Sequence, residues 1–190
     1  MKTRTIFASL TLTILMFLLA SIPAVAGNNT VVYNNGLPDG NDAWTINYGF
    51  TVSDSFTLSS PANVNHVDFW AWLFPGDIVT SVNWTIYTMG PNAKEQKIWG
   101  TGTANVTFED GGDCYSPPFS NGCKEGFSFP AIAMPAGTYW LKLGCAQVPS
   151  GDPVYWAESG GPSIAYENSV GTIPSEAFDI VDPPADGGKQ

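Results

Sequence analysis

The sequence predicts a single all-β domain, an antiparallel β-sandwich of jelly-roll type, behind an N-terminal export signal. Three observations lead there. Apolar and polar residues alternate with a period of two along most of the chain, and no stretch carries a helical stripe. Turn signals such as NNGLPDG, FPGD, GPN, DGGD, MPAG and PSGD break the chain at short intervals. About nine short strands at that spacing suit a sandwich, and the length suits one domain.

Residues 1–26 read as a signal peptide. Lys2 and Arg4 form a basic start, Ile6 to Leu19 an apolar stretch, and Ala24-Val25-Ala26 a small-residue cleavage site. The apolar stretch falls short of the ~20 residues a spanning helix needs, so removal is expected rather than anchoring. The mature chain then has no transmembrane anchor, and secretion to the periplasm or the outside is the expected localisation. Residues 27–182 form the sandwich domain, and 183–190, PPADGGKQ, read as a flexible tail with nothing apolar to bury.

The expected strands are 30–34 (TVVYN), 54–58 (DSFTL), 64–74 (VNHVDFWAWLF), 81–89 (SVNWTIYTM), 97–108, 125–132, 137–143 (GTYWLKL), 153–158 (PVYWAE) and 176–181 (EAFDIV). In SVNWTIYTM, alternation puts Val82, Trp84 and Ile86 on one face and Asn83, Thr85 and Tyr87 on the other. GTYWLKL sets Tyr139, Leu141 and Leu143 against Thr138, Trp140 and Lys142. PVYWAE sets Trp156 beside Glu158, which reads as a face that also carries charge.

All seventeen acidic residues follow residue 26, whereas two of the seven basic ones, Lys2 and Arg4, precede it. The mature chain is therefore more acidic than the net −10 of the whole and contains no arginine. Such a surface repels phosphate backbones and anionic headgroups, which excludes nucleic acid as a partner. Three cysteines leave one thiol over after a bridge. Cys114–Cys123 is the expected disulfide, because CYSPPFSNGC is a turn-rich excursion; closing it would contribute about 2–3 kcal/mol. Cys145, at a strand end, is expected to be a small buried hydrophobe.

The stretch HVDFWAW holds the chain's one histidine and places His66, Asp68, Trp70 and Trp72 on one strand face. Flat aromatics stack on sugar rings while carboxylates and amides bind hydroxyls, so this face is a candidate polysaccharide site. Trp140 and Glu158 would join it if their strands were neighbours. The competing reading is that covering segments make these tryptophans a second small core. No nucleophile motif accompanies His66, and no catalytic residue is assigned. Glycoside hydrolysis would need two carboxylates about 5–10 Å apart, which seventeen acids could supply by chance. Calcium is the one cofactor considered: Glu109, Asp110 and Asp113 in FEDGGDC, and Asp39, Asn41 and Asp42 in DGND, offer oxygen ligands, though an ordinary turn has the same composition.

The motifs DSFTL (54–58), FWAW (69–72), GTYWL (137–141) and IPSEAF (173–178) resemble those of a widespread group of uncharacterised exported bacterial proteins, many ending in a PEP-CTERM sorting segment. The resemblance implies export and an all-β architecture, and supplies no catalytic residue. The sorting segment has no counterpart here, since VDPPADGGKQ lacks an apolar helix and a basic cluster. The leading expectation is a non-catalytic extracellular matrix or surface interaction module that engages polysaccharide. The alternatives are a carbohydrate-active hydrolase and a purely structural exopolymer protein.

Overall fold

A computed structural model describes residues 30–108 and 121–182; the expected signal peptide and tail lie outside the described residues. Thirteen strands are formed: β1 (Thr30–Asn34), β2 (Pro38–Thr45), β3 (Thr51–Leu58), β4 (Ala62–Leu73), β5 (Ser81–Tyr87), β6 (Ile98–Asn105), β7 (Thr107–Phe108), β8 (Asn121–Met134), β9 (Gly137–Gln147), β10 (Tyr155–Ser159), β11 (Ala165–Glu167), β12 (Gly171–Ile173) and β13 (Phe178–Asp182). No helix occurs among the described residues.

Two sheets pack face to face. The first runs β1-β13-β4-β10-β2, with β8 on the other edge of β4 and β7 beyond it; the second runs β12-β11-β3-β9-β5-β6. Every ladder is antiparallel. From β3 onward the chain mostly alternates between the sheets, the winding expected of a jelly roll. β13 and β10 lie end to end along the same edge of β4, with Phe178 opposite Phe69 and Tyr155 opposite Trp72.

Alternation decides the long strands. Val82, Trp84 and Ile86 of β5 are buried, as are Tyr139, Leu141 and Leu143 of β9 and Val67, Phe69, Ala71 and Leu73 of β4. Trp84 stacks on Phe129 at 4.2 Å, and Phe69 meets Phe127 and Trp156 edge to face. Each such aromatic removes a large apolar area from water, worth about 2–3 kcal/mol. β6 gives up side chains to make room: a Cβ at Gly100 would lie 2.9 Å from the Trp84 ring and 2.4 Å from Ile132.

Three strands were not anticipated. β2 contains proline, glycine and two aspartates, residues that strands avoid, and forms because β10 supplies its partner. Its ladder slips between the Ala157 and Ser159 pairings, so the acidic residues sit in an irregularity. β11 and β12 are three residues each, too short for alternation to register. The expected strand 97–108 is two, divided at Val106, whose N–H turns to the Thr80 carbonyl.

Two side chains depart from the expected pattern. Trp156 is fully buried in the main core, so the face it shares with Glu158 is the inner one. Cys145 is exposed, not buried: it occupies a left-handed backbone (φ 51°) where β9 places an extra residue against β5.

One end of the sandwich is closed by a buried polar clasp. The Asn35 side-chain nitrogen shares its two N–H donors among Glu176 O (2.6 Å), Ser163 Oγ (2.7 Å), Ser175 Oγ (2.7 Å) and Asp54 Oδ2 (3.1 Å). Ser159 donates to Asn35 O at 2.8 Å, and Glu176 N donates to Asp54 Oδ2 at 2.7 Å. The IPSEAF and ESGGPS stretches thus meet the DSFTL strand through hydrogen bonds, satisfying backbone that leaves the sheets here.

Candidate functional site: an aromatic groove on the outer face of the first sheet

β4 carries His66, Asp68, Trp70 and Trp72 on the outer face, opposite the buried Val67, Phe69 and Ala71. These four residues do not form one exposed surface. His66 Nε2 lies 2.8 Å from Asp68 Oδ1, and its Nδ1 lies 2.8 Å from Ser128 Oγ. Lys124 reaches Asp68 Oδ2 at 3.1 Å. Burial alone would raise the Asp68 pKa, but hydrogen bonds from His66 and Lys124 outweigh it and hold the carboxyl below its ordinary value. The trio is an internally satisfied network, an ion pair of Lys124 with Asp68 to which His66 is hydrogen-bonded. Trp70 is 8% exposed and packs with Ala157 and Ala177, while Lys124 stands 5.4 Å from its ring centroid. It is a small second core between β4 and the β10–β13 junction.

The remaining candidates separate. Trp140 is on β9 in the other sheet, half-buried beside Gly90. Glu158 is on β10, a neighbour of β4 as the sequence reading required, but it is buried on the inner face. Of the two β4 tryptophans, Trp72 is the one that stays partly open. Its cross-strand partner is Tyr155, and directly opposed residues of an antiparallel pair share a face.

Trp72 and Tyr155, together with Phe74 just past the end of β4, wall a groove of about 310 Å³ completed by Asp42, Ala43, Leu73 and Pro75. Phe74 is 46% exposed, and its ring therefore offers surface to a ligand. Asp42 is the groove's single carboxylate among the described residues. One of its oxygens accepts the Ala43 N–H at 2.8 Å, leaving the other free of a protein donor. Every wall element lies on, or next to, a hydrogen-bonded strand, so the groove is held in shape by the sheet. Trp72 was expected from the sequence, Asp42 was expected only as a calcium ligand, and Tyr155 and Phe74 were not anticipated. The WLFP run at the end of β4 hints at an aromatic edge, but the pairing of β4 with β10 and β2 is long-range.

A second group of titratable residues lies inside the sandwich. Glu158 and Glu176 oppose each other across an isolated bridge, and both are buried. Trp44 Nε1 donates to Glu158 Oε1 at 2.6 Å, whereas neither Glu176 oxygen has a partner. Burial raises the Glu176 pKa well above its ordinary value, and Asp54, Glu158, Asp42 and Asp39 reinforce the rise. Burial likewise raises Glu158, helped by Asp42 and Asp39 and opposed by the Trp44 hydrogen bond. Asp54 is fully buried and is pushed up to about 6 by burial, despite four hydrogen bonds that act the other way. These acids face the core and not the groove, so they offer no two-carboxylate arrangement around the groove aromatics.

Of the expected calcium ligands, Glu109, Asp110 and Asp113 lie outside the described residues. Asp39 and Asp42 accept N–H groups one or two residues on, as in ordinary turns, and no group of three acidic, histidine or cysteine side chains among the described residues is gathered for a metal. Cys123 is buried, and its expected partner Cys114 lies outside the described residues. No helix among the described residues is long and apolar enough to cross a membrane. In comparison with known proteins, no protein-family model and no curated protein matches the chain.

Proposed function

We propose that the chain is an exported, non-catalytic module that binds polysaccharide in the groove of Trp72, Tyr155, Phe74 and Asp42. The observation that carries this reading is the combination of three aromatic walls with one free carboxylate oxygen on a preformed sheet. Aromatic faces bury the C–H surface of a sugar ring, and a carboxylate accepts its hydroxyls. A volume of about 310 Å³ is at the small end of ligand sites, enough for one end or one unit of a longer chain. The role in an extracellular matrix or at a surface follows from the expected export signal together with this groove.

The hydrolase alternative has less support, because among the described residues the groove brings one carboxylate where the reaction needs two. A glycan array followed by titration calorimetry tests the proposal. Wild type should bind at least one glycan class, and Phe74→Ala and Tyr155→Ala should each weaken it about tenfold, or ~1.4 kcal/mol. Thermal midpoints near wild type for Phe74→Ala would separate lost contact from lost fold. Absence of any glycan binding by wild type would overturn the reading, and release of reducing ends would replace it with the hydrolase.

A further inference from the structure

We infer that the groove is specific for glycans bearing free amines, the polymers of amino sugars whose ammonium groups are cationic, over neutral or uronic ones. This rests on the glycan-binding reading and adds the ligand's charge to it. Asp42 is the groove's charged group, with one oxygen tied to the Ala43 N–H and the other available. The negative field extends beyond it. Asp39 and Asp42 both act on the buried Glu158, so the strand β2 presents a run of acidic charge at this edge of the sheet.

Among the described residues, no basic side chain lines the groove. The lysines among the described residues are placed elsewhere: Lys124 at Asp68, Lys97 at 3.8 Å over the Trp99 ring, Lys142 among threonines on the second sheet, and Lys94 in the β5–β6 connection. A uronic acid would meet Asp42 as a like charge. A neutral sugar would gain only the stacking and hydroxyl contacts. An ammonium would gain a charge-assisted hydrogen bond at Asp42 and, on the same walls, the electron-rich faces of Trp72, Tyr155 and Phe74. Aromatic faces beside a carboxylate are the arrangement that recognises organic cations. The strongly acidic mature chain would also draw a polycation toward it from a distance.

The test is calorimetry with glucosamine oligomers, their N-acetylated counterparts and oligogalacturonate, at low and high salt. Wild type should favour the free-amine oligomer about fivefold or more at low salt, the scale of an exposed ion pair. That preference should shrink in high salt and as the amine loses its proton at higher pH. Asp42→Asn should bind the two glucosamine series alike, while Phe74→Ala weakens both. Equal or better binding of the N-acetylated series, or a preference that survives in Asp42→Asn, overturns the inference and leaves the glycan-binding reading in place. No binding of any series by folded wild type overturns the inference, and the glycan-binding reading falls with it only if the array also shows no binding.

Discussion

Raising the pH from 4 to 7 should weaken this fold, because its buried acids favour the folded state while protonated. Asp54, Glu158, Glu176 and Asp179 are all buried, and burial lifts each carboxyl above its ordinary pKa. A group whose pKa is higher folded than unfolded contributes stability that is complete below the unfolded value and lost as the pH climbs through the folded one. For Asp54 that window runs from 3.8 to about 6. At 1.36 kcal/mol per pH unit the loss is about 3 kcal/mol from this residue alone. Glu176, raised well above its ordinary value and without a partner at either oxygen, adds to the loss and extends it to higher pH. Asp68 works in the opposite sense. Its lowered pKa gives stability that is present above the unfolded value and lost as pH falls through the folded one, below this window. Urea denaturation at pH 4, 5, 6 and 7 reads the effect as a falling midpoint. Asp54→Asn places an amide N–H where Oδ1 accepts the Ser55 N–H, at a cost of about 1–3 kcal/mol at pH 4, but its profile between pH 4 and 6 should be flatter. A wild-type midpoint that is flat or rises from pH 4 to 7 would refute the reasoning, as would an unchanged slope in the variant.

Other expectations concern packing and thiols. Trp84→Ala should cost about 3–5 kcal/mol in equilibrium unfolding, because its ring is held by Phe129, Phe127 and the gap at Gly100. Gly161→Ala should lower the thermal midpoint by the equivalent of about 1–3 kcal/mol, since a methyl there would sit 2.2 Å from the Asn35 carbonyl oxygen in the clasp. Trp70→Ala should destabilise by a similar or larger amount, about 3 kcal/mol. That variant should also retain glycan affinity, since Trp70 lies outside the groove walls. Non-reducing peptide mapping should find Cys114 joined to Cys123, and iodoacetamide should label the exposed Cys145 in the folded protein; a linkage through Cys145 would refute that assignment.

Local pattern was enough wherever a strand is long and has one apolar face. β4, β5 and β9 were legible because Val67, Val82, Leu141 and their neighbours alternate with polar residues over many positions. At Glu158 the carboxylate made the Trp156 face read as a charged one. Alternation puts both Glu158 and Asp54 on inner faces, beside Trp156 and Phe56, where each carboxyl is kept by its hydrogen-bond partners. Those partners, Trp44 for Glu158 and Asn35 with the Glu176 backbone for Asp54, come from remote segments. The candidate site was half visible for a related reason. Trp72 is in a conspicuous run, but Tyr155 and Asp42 join it only through strand pairing that no local window contains. Trp70 and Trp72 are equivalent by alternation. What separates them is degree: Trp70 is buried within the cluster of Ala157 and Ala177, whereas Trp72 packs against that cluster and stays partly open at its rim.

The pairing of β1 with β13 has a mechanical consequence. Thr30 lies opposite Asp182, so the first and last described residues sit side by side at one edge. A pull between them would load the ladder one hydrogen bond at a time, as a zipper opens, instead of shearing all of them together. β1 should therefore detach at low force. The peel would then reach Asn35, whose N–H is held by Phe178 O at 2.9 Å and whose side chain is enclosed by Ser163, Ser175, Asp54 and Glu176. Resistance to tension would reside in that one asparagine and the oxygens around it.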